Sequence, residues 1–323
     1  MSAKEDFIAA MQKRTPARVP IWELEFHCWD AASGRHVVLG REFEALTPAE
    51  QERALHANAE IILSVCRDMG FAALTIPGNY WEVAPGQPAY WWLPGDWRWR
   101  QAELLIAMGG KDLVVIGGSG GIIGMPGAQN YAEFCYKVMD APEEIDEWAR
   151  QALAGGIEKA KRLRDLGCEA VFSASDFATN HGPFFSPPQM RRWIYPQLRA
   201  WGQAMRELGL YSILHTDGDI TPCLEEIADT GIDAVQAIDP IAGMDIRQAR
   251  RIVGNRLCLC GNVDCGLLQF GPAEKIYQAT RALLRDLGPQ GAFVLGASNA
   301  VFVEMPIEHY RAMIQAWKDS QTG

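Results

Sequence analysis

Tyr211-Ser212-Ile213-Leu214-His215-Thr216-Asp217-Gly218-Asp219-Ile220 passes from a short apolar run into a cluster of polar residues. With Gly209 before it and Gly218 within it, the run reads as a buried strand whose C-terminal end carries the polar cluster into a loop. The same unit recurs along the chain: RVPIWELEF near 18–26, FAALTI at 71–76, DLVVIGG at 112–118, EAVFSAS at 169–175, DAVQAI at 233–238, LCLCGN at 257–262 and AFVLGA at 292–297. Helical stretches separate these eight runs. Their starts carry cap oxygens and early prolines, most clearly at Thr47-Pro48-Ala49-Glu50, Asp140 to Glu143, Ser186-Pro187-Pro188-Gln189 and Thr221-Pro222. Such residues suit a helix start because the first-turn amides lack partners. Gly70, Gly167, Gly209, Gly254 and Gly288 stand where the helices should stop. The alternation predicts an α/β fold, a single (β/α)8 TIM barrel over residues 1–323, with a doubly wound open sheet as the competing arrangement.

Composition narrows the partners. The 323 residues, 48% hydrophobic and 22% charged, can bury a core without help from disulfides or metal. Thirty Lys and Arg against forty Asp and Glu give a formal charge of -10, which argues against nucleic acid and against an anionic membrane surface. Residues 1–20 read as a short amphipathic helix without the apolar run of a signal peptide, and no segment approaches the ~20 apolar residues of a membrane span. The eight cysteines form no Cys-x-x-Cys, so they are expected to be reduced, mostly buried thiols in a cytoplasmic protein.

Active sites of such barrels lie at the C-terminal ends of the strands. Polar residues stand at those places: Glu23 and Glu25 after the first run, Asn79 after the second and Asp176 after the fourth. His215 and Asp217 follow the fifth, Asp239 the sixth, Asn262 and Asp264 the seventh, and Ser298 and Asn299 the eighth. Between the second and third runs, a Trp-rich loop at about 77–99 holds Trp81, Trp91, Trp92, Trp97 and Trp99 with Tyr80 and Tyr90. A long loop in that position is expected to form a flat apolar wall of the cavity, the alternative being a satellite cluster or a dimer contact.

His215-Thr216-Asp217-Gly218-Asp219 resembles the H-x-C-G-D or H-x-D-G-D stretch after the fifth strand in methyltransferases of the uroporphyrinogen decarboxylase superfamily. Gly261-Asn262-Val263-Asp264 is similar to that family's G-N-V-D turn. Asp176 to Pro187 with Pro196, and Gly124 to Pro142, resemble two further family segments, in the right order over residues ~110 to 310. The porphyrin decarboxylases carry an arginine-rich turn after their first strand, suited to holding carboxylates. Trp22-Glu23-Leu24-Glu25-Phe26 stands there instead. Strand alternation places Glu23 and Glu25 on one face, taken as the inward one, where two carboxylates would repel a polyanionic porphyrinogen.

The resemblance therefore implies the corrinoid-dependent methyltransferase branch. Its thiol-methylating members use His-x-Cys and a distal Cys as zinc ligands; His215-Thr216-Asp217 and Ser298 occupy the matching positions here. His215 and Asp217 remain a candidate metal pair, zinc being the candidate ion, if Glu23, Glu25, Asp239 or Cys265 joins them; the alternative is a hydrogen-bonded His-Asp pair. The implied activity moves a methyl group from a small methylated substrate, an aryl methyl ether first, to the cobalt of a corrinoid (cobalamin) on a partner corrinoid protein. Catalytic roles fall to His215, Asp217, Asp239 and Asp176. Substrate contacts fall to Glu23, Glu25, Asn79, Tyr80, Trp81, Asn262, Asp264 and Ser298. The rival readings are a decarboxylase of a small non-porphyrin acid, a non-catalytic corrinoid carrier, whose Asp-x-His-x-x-Gly signature is missing, and a glycosidase-like hydrolase using Glu23 and Glu25.

Overall fold

A computed structural model describes residues 2–77 and 93–320 of the chain, together with the backbone of 80–81 and 90–91. Seven short strands form one sheet in chain order: β1 (Ala73–Thr75), β2 (Val114–Gly118), β3 (Ala170–Ala174), β4 (Tyr211–His215), β5 (Ala234–Gln236), β6 (Cys258–Cys260) and β7 (Phe293–Val294). Every neighbouring pair is parallel. Parallel neighbours require crossover connections, and helices such as Pro142–Leu166, Tyr195–Glu207 and Ala273–Leu287 supply them. Thr47 and Ser186 each cap a helix through a reciprocal capping box with the residue three positions on, as their sequences predict.

The first apolar run departs from expectation. It is not a strand: Ile21 makes isolated parallel bridges to Phe71 and Leu295, one at each edge of the sheet. Ala72 N donates to Ile21 O at 2.8 Å and Trp22 N donates to Leu295 O at 3.0 Å. Pro20, which has no N–H, stops the ladder from growing on its side. Gly296 permits the tight approach, because a Cβ there would fall 2.2 Å from Trp22 O. The sheet is thus seven-stranded, with one residue of the first segment joined to both edges.

Side chains of the inner sheet face, among them Val114, Ile116, Phe172 and Ile213, form one apolar cluster with Trp22 and Leu24. Phe7, Ala10 and Met11 of the leading helix Ala3–Met11 belong to the same cluster and cover the N-terminal ends of the strands. Lys13 fixes that helix by an ion pair to Asp233 at 3.0 Å. The eight cysteines are all free, and seven are buried.

Because Trp22 and Leu24 point inward, Glu23 points the other way, which corrects the expected inward face. Burying an indole and a leucyl group inside the sheet releases far more apolar surface from water than burying carboxylates would. Glu23 instead accepts Tyr310 OH at 2.8 Å and Ala297 N at 2.9 and 3.2 Å, joining the first segment to the last strand's end and to helix Ile307–Asp319. Burial pushes its carboxyl up to about 8, outweighing the opposing effect of the two donors.

A raised folded-state pKa means that folding favours protonated Glu23, so this contribution is full below the ordinary carboxylate pKa and is lost as pH rises through about 8. Denaturant titrations from about pH 5 to about pH 9 should show wild-type stability falling relative to Glu23→Gln across that window. A gap between the two proteins that stays constant with pH contradicts the assignment.

Candidate functional site

The register of the sheet sets Ala174, His215 and Gln236 side by side at the C-terminal ends of β3, β4 and β5. His215 is only 6% exposed. Its Nδ1 lies 2.5 Å from Gln236 Oε1, while Gln236 Nε2 donates to Ala297 O at 3.3 Å and Ser298 O at 3.4 Å. With the amide oriented by two carbonyls, Nδ1 must be the donor, and Nε2 is left as a lone-pair nitrogen or a second N–H. Nε2 faces two carboxylates, Asp217 Oδ1 at 3.8 Å and Asp176 Oδ1 at 3.9 Å, both beyond hydrogen-bond reach.

The two aspartates are held from other elements. Asp217 N donates to Asp176 Oδ1 at 3.0 Å, and Asn299 Nδ2 donates to Asp217 Oδ2 at 2.7 Å. Asp217 Oδ1 is buried with no hydrogen-bond partner among the described residues. Burial raises the Asp217 pKa; His215 opposes this, the Asp176 and Asp239 charges reinforce it, and the Asn299 bond opposes it. Ligand atoms of Asp176, His215 and Asp217 all lie within 4.8 Å of one another. One imidazole nitrogen and two carboxylates around an orphaned oxygen suit a cation or a shared proton. Gly218 makes the turn after Asp217 with φ +87°, and a Cβ there would fall 2.6 Å from the Ala178 carbonyl carbon, so only glycine lets this turn pass the Ala178–Thr179 strand.

The remaining candidates divide. Asp239 borders the trio and is held by its loop: Oδ1 accepts Ile241 N at 2.9 Å and Oδ2 accepts Gly218 N at 3.4 Å. Asn262 donates to Ile238 O at 2.7 Å, Ser298 Oγ accepts Cys265 N at 3.2 Å, and Asp264 caps helix Cys265–Phe270 through Leu267 N at 2.9 Å. These three fasten loops around the trio. Glu25 pairs with His27 at 3.2 Å beside a cleft that runs from the first segment to Thr75, Ile76 and Pro77. Asn79 and Trp92 lie outside the described residues, as do the side chains of Tyr80, Trp81, Tyr90 and Trp91. Of the other tryptophans in the loop segment, Trp97 packs edge-on against Phe43 with centroids 5.7 Å apart, and Trp99 lines a second cleft. Gln236 is a site residue the sequence reading passed over; its signal is a polar side chain closing the run Ala234-Val235 opposite His215.

Among the described residues, no helix is long and apolar enough to cross a membrane. The family model for uroporphyrinogen decarboxylase matches residues 104–320. A uroporphyrinogen decarboxylase of Chlorobium luteolum is 34% identical over 198 residues, 60% of this chain and 54% of that protein. A methylated-thiol–coenzyme M methyltransferase of Methanosarcina mazei is 26% identical over 180 residues, 55% of this chain and 46% of that protein. The chain spans about half the length of these curated relatives. Among solved structures, a methyltransferase from Methanosarcina mazei superposes with a TM-score of 0.69 at 16% identity, covering 99% of each chain, which shows a shared fold. The chain belongs to the uroporphyrinogen decarboxylase family.

Proposed function

We propose that this chain is a corrinoid-dependent methyltransferase acting on a small methylated substrate, an aryl methyl ether in first place, on a single eight-membered barrel closed by the first segment. One observation carries the reading: His215 has one ring nitrogen fixed on Gln236 and presents the other to Asp176 and Asp217 at the strand ends. A methyl-transfer site needs such a group, because demethylation leaves a poor leaving group unless a proton or a cation stabilises it.

In this reading the corrinoid would accept the methyl group as the substrate's O–CH3 bond breaks, and the trio would supply the proton or cation that neutralises the departing phenolate oxygen. His215 Nε2, Asp176 and Asp217 would hold a divalent cation, with zinc suited to an imidazole and two carboxylates. The buried, partnerless Asp217 Oδ1 is the feature that fits such an ion. Gln236 and Asn299 then act as supports that aim the ligands. The apolar rim favours a corrinoid protein as partner, since Ile241, Phe270, Phe302 and Val303 stand exposed beyond the ends of β5, β6 and β7. A decarboxylase is the second reading, with a small non-porphyrin acid as its substrate; the named relative, a uroporphyrinogen decarboxylase, supports the reaction class alone.

With a methylated phenol and reduced cobalamin, His215→Ala and Asp217→Ala are each expected to lower the rate of alkylcobalamin formation at least ~10²-fold, with unchanged thermal melts. A substrate with a good leaving group should be slowed much less. Equal slowing of both substrates removes the trio from leaving-group stabilisation, and no alkylcobalamin from ethers, amines or thiols favours the decarboxylase.

Chelation separates the two forms of the site. If the trio holds a metal, activity is lost on dialysis against a chelator, returns with zinc, and Asp176→Asn raises the zinc needed for recovery. Activity indifferent to chelation leaves His215 as a proton donor without metal.

A further inference from the structure

We infer that a second cleft, at the lip of the barrel mouth beside the end of β2, binds the carboxylate of a flat aromatic acid. This inference goes beyond methyl transfer and does not depend on it. The cleft lies between helices Trp97–Gly109 and Pro142–Leu166, is walled by Trp99, Leu163 and Phe172, and carries Arg98 and Lys159. It shares Ile76 and Pro77 with the cleft beside Glu25 and His27. A ligand seated here therefore stands next to the mouth.

The charges around it are unlike their neighbours. On the same two helices Arg100 pairs with Glu52 and Glu103, Lys161 with Glu158, and Arg164 with Asp165. Arg98, Lys159 and Arg162 meet no carboxylate among the described residues. Arg162 instead lies over the Trp99 ring, 3.8 Å from its centroid, and Arg98 lies 5.0 Å from the same ring. Although Lys159 remains solvent-accessible, burial and then the Arg98 charge push its ammonium pKa down. In a chain of formal charge -10, convergence beside one cleft of cations that meet no carboxylate among the described residues costs free energy that a bound anion removes.

The apolar part selects the rest of the ligand. A Cβ at Gly118 would come within 2.9 Å of Phe172 Cζ, so glycine is what lets that ring lie across the strand end. Phe172, largely buried, and Leu163 give the cleft an apolar floor, and Trp99, overlaid by Arg162, stands at its side, so a flat ring can lie against the floor while Arg98 and Lys159 meet its carboxylate. A bare phosphate would use the cations and leave the aromatic surface unused.

The probes are benzoate, its neutral analogue benzamide and inorganic phosphate, measured by calorimetry with the full chain and without corrinoid. Benzoate is expected to bind saturably, one per chain, at least ~10-fold tighter than benzamide. The variant Arg98→Gln/Lys159→Gln should weaken benzoate at least ~10-fold and leave benzamide unchanged, with unaltered thermal melts. Lys159→Glu alone should abolish benzoate binding. Benzoate affinity unaffected by these substitutions, no saturable binding, or phosphate binding as tightly as benzoate overturns the inference. Because the readout is binding alone, its failure is separate from any failure of methyl transfer.

Discussion

The row Ala174, His215, Gln236, set by the parallel register of β3, β4 and β5, is the constraint on which the site rests. A slip of one residue would turn every side chain of a strand to the opposite face. In the observed register His215 and Gln236 stand as neighbours, Asp176 lies two residues past Ala174, and Asp217 two residues past His215. The residues of the trio thus come from ordered strand ends and the first turn of their loops, where backbone ladders limit drift better than a long loop would.

Much of the fold was legible because parallel strands buried on both faces must be short apolar runs, and helices between them need caps and stops. Seven of the eight runs became strands. The eighth, around Ile21, resembles a strand in composition, but Pro20 and the single close approach at Gly296 reduce its pairing to bridges. That outcome depends on contact between residues nearly three hundred positions apart, which no local pattern carries.

Asp176, His215 and Asp217 were legible in the sequence for the same reason as the strands: polar groups directly after buried runs are placed at the mouth. The roles of the other polar strand-end residues were harder to read, because some residue types serve two purposes. Aspartate and serine cap helices and fasten loops as readily as they bind substrates, and Asp264 and Ser298 do so here. Glu23 was misplaced because alternation alone does not say which face is inside; the volume of Trp22 and Leu24 decided it. Gln236 was hidden as an apparently ordinary strand residue until pairing brought it to His215.

The trio gathers negative charge at the strand ends, while Arg98 and Lys159 line the cleft at the lip and Arg162 lies over Trp99 beside it, none of them paired with an acid among the described residues. The first arrangement is one that a cation would stabilise, and under the proposed reading the Asp217 oxygen, without a donor among the described residues, would be one of its ligands. Diffraction from crystals grown with zinc, recorded on both sides of the zinc absorption edge, tests this most directly. The account predicts an anomalous peak about 2 Å from His215 Nε2 and within ligand distance of both Asp176 and Asp217. Crystals with zinc bound elsewhere, or with His215 Nε2 hydrogen-bonded directly to a carboxylate and no anomalous signal between them, would contradict it.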